Sequence, residues 1–185
     1  TNTLTVFAGD TGLERVIIGT GTTASANTTA TTELNIDASQ APNGLEIIGN
    51  NGVNNLTGSA YADTINGKGG RDTLTGGAGA DVFGFGLTQS TITAPDRITD
   101  FAFGTDKIDL FSSNGGALPA PVAFTCAANN SSASTLSALA TAVFTDANGA
   151  ITGNQALGAN SAVLVTSTNP AIAGTYLVIN DGKAA

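Results

Sequence analysis

Residues 49–84 read GNNGVNNLT, GSAYADTIN, GKGGRDTLT, GGAGADVFG: four consecutive units of nine residues. Glycine opens each unit, as Gly49, Gly58, Gly67 and Gly76. The sixth place holds Asn54, Asp63, Asp72 and Asp81, and the eighth holds Leu56, Ile65, Leu74 and Phe83. An oxygen-bearing side chain and an apolar one, repeated at fixed offsets from a glycine, predict a parallel roll in which each unit is one turn and one short strand. With six residues in the turn and three in the strand, two units complete one coil. Positions 18 apart then stack at the strand spacing of about 4.8 Å. Asn54 falls over Asp72 on one side, and Asp63 over Asp81 on the other.

The chemistry follows from that stacking. Two carboxylates about 4.8 Å apart repel by about 1 kcal/mol in water and by about 3–4 kcal/mol at an effective dielectric of 20. Glycines let the turns adopt positive φ and aim carbonyls inward. Calcium takes six to eight oxygens, which carboxylates and turn carbonyls supply without another residue type. The segment is therefore expected to be loose without metal and to fold on binding calcium. Asn54 replaces an acid and Tyr61 a glycine, so the Asn54/Asp72 site is expected to be weaker than Asp63/Asp81. A third site is placed near Asp96 or Asp100, and Lys68 and Arg71 are expected to pair with neighbouring acids.

Composition points the same way. Gly contributes 24 of 185 residues, Thr, Ala and Asn are abundant, and Trp and Met are absent, which suits short strands and turns. The net charge is −8, and seven of the 14 acids lie between Asp63 and Asp109. With so few cations, nothing would neutralise nucleic-acid phosphates. His is absent, which excludes Ser-His-Asp triads and histidine zinc sites. A carboxylate pair for glycoside chemistry is the remaining catalytic option. The regularly spaced acids are better used as ligands, and the chain is not expected to be an enzyme. Cys126 is the single cysteine, so no intrachain disulfide forms, and its apolar neighbours suggest a small buried thiol. No apolar run is long enough to span a membrane. The first residues, TNTLTVFAGD, carry no secretory signal and do not begin with Met, as expected of a processed product or a piece of a longer chain.

Around the repeats, residues 1–48 read as further turns of a β-solenoid without the calcium pattern, with Thr20–Thr32 as a loop. The phrases GLERVIIG (12–19) and GLEIIG (44–49) echo each other, and Leu34–Ala38 alternates as a half-buried strand does. Residues 85–111 are expected to cap the roll through a strand, a turn at Gly104-Thr105 and a second strand, an ordinary hairpin being the alternative. Residues 112–185 read as a small α+β domain: a strand at Val122–Cys126, a helix over 134–148 with Ser134 as N-cap and Gly149 as stop, then strands at Ala162–Ser167 and Thr175–Asn180. The fold class expected is thus mostly β, a parallel β-roll or β-solenoid followed by a small α+β domain.

Residues 49–84 resemble the RTX, or hemolysin-type calcium-binding, repeat family. APDRITDFAFGTDKIDLF (94–111) looks like the stretch behind such repeats in type I-secreted proteins, and residues 112–185, with the phrase TYLVINDG, resemble the C-terminal bluetail domain of cyanobacterial secreted proteins. The resemblance implies Ca2+ held by the side chains of Asp63, Asp72 and Asp81, with Asn54, and by turn carbonyls between Gly67 and Asp72 and between Gly76 and Asp81. Those positions include Gly67, Gly69, Gly76 and Ala78, and Asp100 would serve a site at the cap. It further implies type I secretion machinery as a partner, an extracellular or cell-surface location, and a role as the calcium-folded C-terminal module of an exported protein. The alternative is a self-assembling subunit or anchor of a surface layer, filament or adhesin, since a solenoid presents stackable ends.

Overall fold

Each three-residue strand can send one side chain inward, and the eighth position of every unit is that residue. Leu56, Ile65 and Leu74 sit at the centres of strands β5 (Asn55–Thr57), β6 (Thr64–Asn66) and β7 (Thr73–Thr75), and Phe83 is second in β8 (Val82–Gly86). All four are fully buried. Burying each such side chain contributes about 1.5–3 kcal/mol.

The structure, a computed structural model, describes residues 2–19, 28–111, 123–147, 156–159 and 161–180, and of Ala123–Cys126 only the backbone. Most of the expected Thr20–Thr32 loop, the Gly149 stop and the Cys126 side chain fall outside those residues. The chain divides into two compact units, Thr1–Leu118 and Pro119–Ala185.

In the first unit the strands before the repeats are β1 (Asn2–Thr5), β2 (Arg15–Ile17), β3 (Leu34–Asp37) and β4 (Glu46–Ile48). Those after it are β9 (Arg97–Ile98) and β10 (Lys107–Phe111). Odd-numbered strands form one sheet in chain order, even-numbered strands form the other, and every pairing is parallel. The chain thus changes sheet after each strand, and the arrangement fits a roll. Within the repeats the register advances by 18 residues, as in Asn55 against Thr73 and Thr64 against Val82. Elsewhere the same geometry carries longer excursions: Leu74 pairs with Ile98 and Phe83 with Ile108. Inward residues of both sheets form one core, from Val16 and Ile36 to Leu74 and Phe83, with Ile98, Phe101 and Ile108 packed against its far end.

The segment after the repeats forms no hairpin. β9 joins β7 and β10 joins β8, so each continues a different sheet. Between them Gly104 turns at φ 85°, and Phe101 stacks 6.1 Å from Phe83 and 5.2 Å from Phe103.

The second unit is a three-stranded sheet in the order β11 (Ala123–Cys126), β12 (Ser161–Ser167), β13 (Gly174–Asn180), with one helix, α1 (Leu136–Thr145). β11 lies parallel and β13 antiparallel to β12. Leu139 and Val143 of the helix share a core with Val163 and Val165. The helix is capped by Thr135 rather than by Ser134: the Thr135 hydroxyl accepts the Ala138 amide at 3.2 Å. It stops at Thr145, where the Asp146 amide bonds back to Ala142.

Candidate metal centre

In a strand, residues two apart face the same way. The sixth residue of each repeat therefore points into the roll beside the eighth, although it is polar. Asn54, Asp63, Asp72 and Asp81 are all at most 1% exposed. An interior carboxylate is costly unless its oxygens find donors or a cation.

One oxygen of each is satisfied by the rung before it. Oδ1 of Asp72 accepts the amide of Asn54 at 2.8 Å, and Oδ1 of Asp63 and of Asp81 accept the amides of Leu45 at 2.7 Å and Asp63 at 2.9 Å. The pattern runs past the repeats. Asp96 Oδ1 accepts the Asp72 amide at 2.9 Å, and Asp106 Oδ1 accepts the Asp81 amide at 3.1 Å. Two columns result: Asn54, Asp72, Asp96 on one side, and Asp63, Asp81, Asp106 on the other. The nine-residue period misses Asp106. The readable signal was an Asp-x-apolar triplet, Asp96-Arg97-Ile98 and Asp106-Lys107-Ile108, matching Asp63-Thr64-Ile65.

The opening glycines serve a different purpose from the one expected. None of Gly49, Gly58, Gly67 and Gly76 has positive φ. They are required because a Cβ would strike oxygen: at Gly58 it would collide with the Gly76 carbonyl and lie 2.6 Å from Asp63 Oδ2, and at Gly76 it would collide with Asp81 Oδ2. Positive φ belongs to the second and fourth places of the last two units, at Lys68 (70°), Gly70 (117°), Gly77 (99°) and Gly79 (124°).

The second carboxylate oxygen separates the early units from the late ones. Asp63 Oδ2 receives the Ser59 amide at 2.6 Å and the Ser59 hydroxyl at 3.0 Å, and Asn54 Oδ1 receives the Asn50 amide at 2.9 Å. In the late units the left-handed second residue turns its amide elsewhere: Lys68 donates to Asn66 Oδ1, and Gly77 to Asp100 Oδ2. Asp72 Oδ2 and Asp81 Oδ2 are left buried with no hydrogen-bond partner. The protonation equilibria respond. Burial pushes the Asp72 carboxyl up to about 7 against the pull of the Asn54 amide, with the Asp96 charge adding to the rise. Burial raises Asp81 likewise, opposed by the Asp63 amide and reinforced by the charges of Asp63, Asp106 and Asp100. Burial also raises Asp63, opposed by the Ser59 and Leu45 amides.

Of the remaining expected ligands, Gly67 and Gly76 adjoin Asp72 and Asp81, and Gly69 stacks on Asn51 of the turn one coil earlier. Ala78 is exposed on the last turn. Asp100 is exposed and accepts the amides of Gly76 at 2.9 Å and Gly77 at 2.8 Å. Among the described residues no three acidic or thiol side chains gather at one point, so an ion here would draw on pairs of carboxyls and on turn carbonyls. Lys68 and Arg71 form no ion pair; the only one among the described residues joins Arg15 and Glu46.

The residues fit calcium. Every candidate donor is a hard oxygen, two carboxylate oxygens are buried and unpartnered, and turn carbonyls lie against them. The family model for the RTX calcium-binding nonapeptide repeat matches residues 48–83 in four copies. That stretch carries the calcium-binding repeat. Comparison with curated proteins and with solved structures returned no match. No helix among the described residues is long and apolar enough to cross a membrane.

Proposed function

We propose that this chain is a calcium-dependent folding module whose two parallel sheets form one β-roll, or β-solenoid, around bound ions. The observation that carries the reading is the pair of unpartnered oxygens on Asp72 and Asp81, buried at equivalent places in successive repeats. Asp72, Asp81 and Asp63 would hold Ca2+ together with carbonyls of the turns at Gly67, Gly69, Gly76 and Ala78. The bound ion supplies positive charge that no side chain of the roll's interior provides. The chain's own residues do the rest: glycines admit the carbonyls, Oδ1 atoms tie adjacent rungs, and the apolar core excludes water. An ion at 100 times its dissociation constant would stabilise the fold by about 2.7 kcal/mol per site.

The export reading rests on this calcium dependence and on the repeat family. A chain kept unfolded where calcium is scarce and folded where it is abundant suits type I secretion and an extracellular role at the C-terminal end of a larger protein. No catalytic role is proposed for it. Circular dichroism of the full chain in millimolar calcium and after chelation tests the proposal. Strand signal should fall when calcium is removed and return when it is restored; a spectrum indifferent to both treatments refutes it.

Self-assembly is a second reading, favoured by one feature: β1 and β2 each pair on one side only among the described strands. Unpaired parallel edges template further pairing. Light scattering across a concentration series tests it, and a strictly monomeric protein eliminates it.

A further inference from the structure

The repeat pattern ends at Gly84, yet the column of inward acids does not. Asp96 lies 24 residues after Asp72, six more than the repeat spacing. The excess is folded outward. Thr91 and Ala94 exchange amide and carbonyl bonds at 3.2 Å, and Gln89 Oε1 accepts the Gly86 amide at 2.7 Å. The chain then re-enters register: the Arg97 amide bonds to the Asp72 carbonyl at 2.8 Å, and Ile98 pairs with Leu74.

At this junction two successive rungs each bury an unpartnered carboxylate oxygen, Asp72 Oδ2 and Asp96 Oδ2. Asp72 itself is completely buried. The opposite column ends differently. Asp106 spends Oδ1 on the Asp81 amide and Oδ2 on the Ala102 amide at 2.8 Å, and both oxygens of Asp100 are likewise taken. No cation compensates the first pair: Arg97, the nearest in sequence, is exposed and forms no ion pair. Ser90 Oγ, which accepts the Asp96 amide at 2.8 Å, brings a further oxygen to the same place.

We propose that Asp72 and Asp96 form a divalent-cation site one rung beyond the repeats, stitching the post-repeat segment to the roll. It rests on the calcium reading of the repeats and extends it to a residue that the repeat family does not cover. The donors are hard oxygens, and the fold offers no imidazole or thiolate here, because His is absent and Cys126 belongs to the second unit. Size selects calcium over magnesium. Equivalent atoms on adjacent rungs are about 4.8 Å apart. An ion midway between them lies about 2.4 Å from each, inside the calcium range and beyond the 2.0–2.1 Å of magnesium.

The test counts calcium ions on the full chain by native mass spectrometry and follows their binding by calorimetry. Asp96→Asn keeps an oxygen for the Asp72 amide but removes the charge, and Asp37→Asn, an acid outside both columns, is the control. Asp96→Asn should bind one ion fewer, or bind it at least about tenfold more weakly. It should also lose calcium-induced slowing of hydrogen exchange in residues 90–99, while Asp37→Asn behaves as wild type. If Asp96→Asn does not fold in calcium, Asp96→Glu, which keeps the charge and displaces the oxygens, is read in the same way. Unchanged ion count, midpoint and protection in the Asp96 variant overturn this site while leaving the repeat reading intact. A wild-type chain that takes up no calcium overturns both.

Discussion

The first two repeats and the last two carry the same period and the same inward sixth residue, yet they settle it by opposite means. In residues 49–66, Asn50 and Ser59 bend back to their own turns: Asn50 Oδ1 accepts the Gly52 amide at 2.8 Å, and Ser59 Oγ accepts the Tyr61 amide at 3.0 Å. Their own amides then serve Asn54 and Asp63. In residues 67–84 the corresponding turns are left-handed, and the carboxylate oxygens they abandon have no donor. The early coil is complete in protein atoms alone. The late coil is complete only with a proton or a cation. Departures from the consensus glycine therefore mark a change of joint, not merely a weakened site.

Several measurements break or sharpen this contrast. The largest effect is expected at the fourth position. Gly79 has φ 124°, and a Cβ there would sit 2.6 Å from the Tyr61 carbonyl carbon, so Gly79→Ala should cost upwards of about 4 kcal/mol in thermal or denaturant unfolding with calcium present. Tyr61, at the same place in an early unit, has no positive φ and is half exposed, so Tyr61→Ala should change stability by about 0.5 kcal/mol or less. Equal losses at the two places would erase the distinction.

Next is pH. The carboxyl of Asp72 sits near 7 in the fold against an ordinary value of 3.8, and Asp96 near 6, raised by burial against the pull of the Asp72 amide and the Ser90 hydroxyl. Raised acids bind protons more tightly folded than unfolded. Their contribution is thus fully present below about pH 4 and lost as pH climbs through 7. Each tenfold gain in proton affinity on folding corresponds to about 1.4 kcal/mol, so the calcium-free chain should lose a few kcal/mol between pH 4 and pH 8, seen as a falling melting temperature. Calcium replaces the protons, so the gap between calcium-bound and chelated melting temperatures should widen over the same range. A gap independent of pH would contradict the burial of these groups.

Asn54→Asp, which restores the consensus acid, should destabilise the calcium-free chain by about 1–3 kcal/mol. It removes an amide nitrogen that donates to the Leu34 carbonyl at 2.8 Å and to Asn50 Oδ1 at 3.2 Å. Chelated protein of undiminished stability would mean that those donors are dispensable. The smallest effect is at Lys68, a non-glycine residue at φ 70°. Lys68→Gly relieves left-handed strain, offset in part by extra unfolded-state entropy, and should raise stability by about 0.5 kcal/mol in denaturant titration.

Much of the first unit was legible because its signal is local and periodic. The inward Leu56, Ile65, Leu74 and Phe83 and the stacking of Asp63 over Asp81 follow from counting. Asp106 was hidden because the coil lengthens to 25 residues between Phe83 and Ile108, so a fixed period passes it by while its local triplet stays intact. The opening glycines were assigned to backbone conformation, whereas they answer to oxygen one coil away, a contact no single turn reveals. In the second unit, helix and strands were readable from pattern, but the parallel pairing of β11 with β12 joins segments 38 residues apart and leaves no local trace.

The one-way hydrogen bonds along the columns have a consequence for assembly. Each aspartate serves a peptide group that precedes it in the chain, so the main chain at Asp63 stays undersupplied until Asp81 arrives, and that of Asp81 until Asp106 does. A polypeptide shortened from its far end exposes a donor with nowhere to turn, whereas one shortened from its near end merely frees an acceptor that water can serve. Completion is therefore polar, and its last stitch lies behind the repeats.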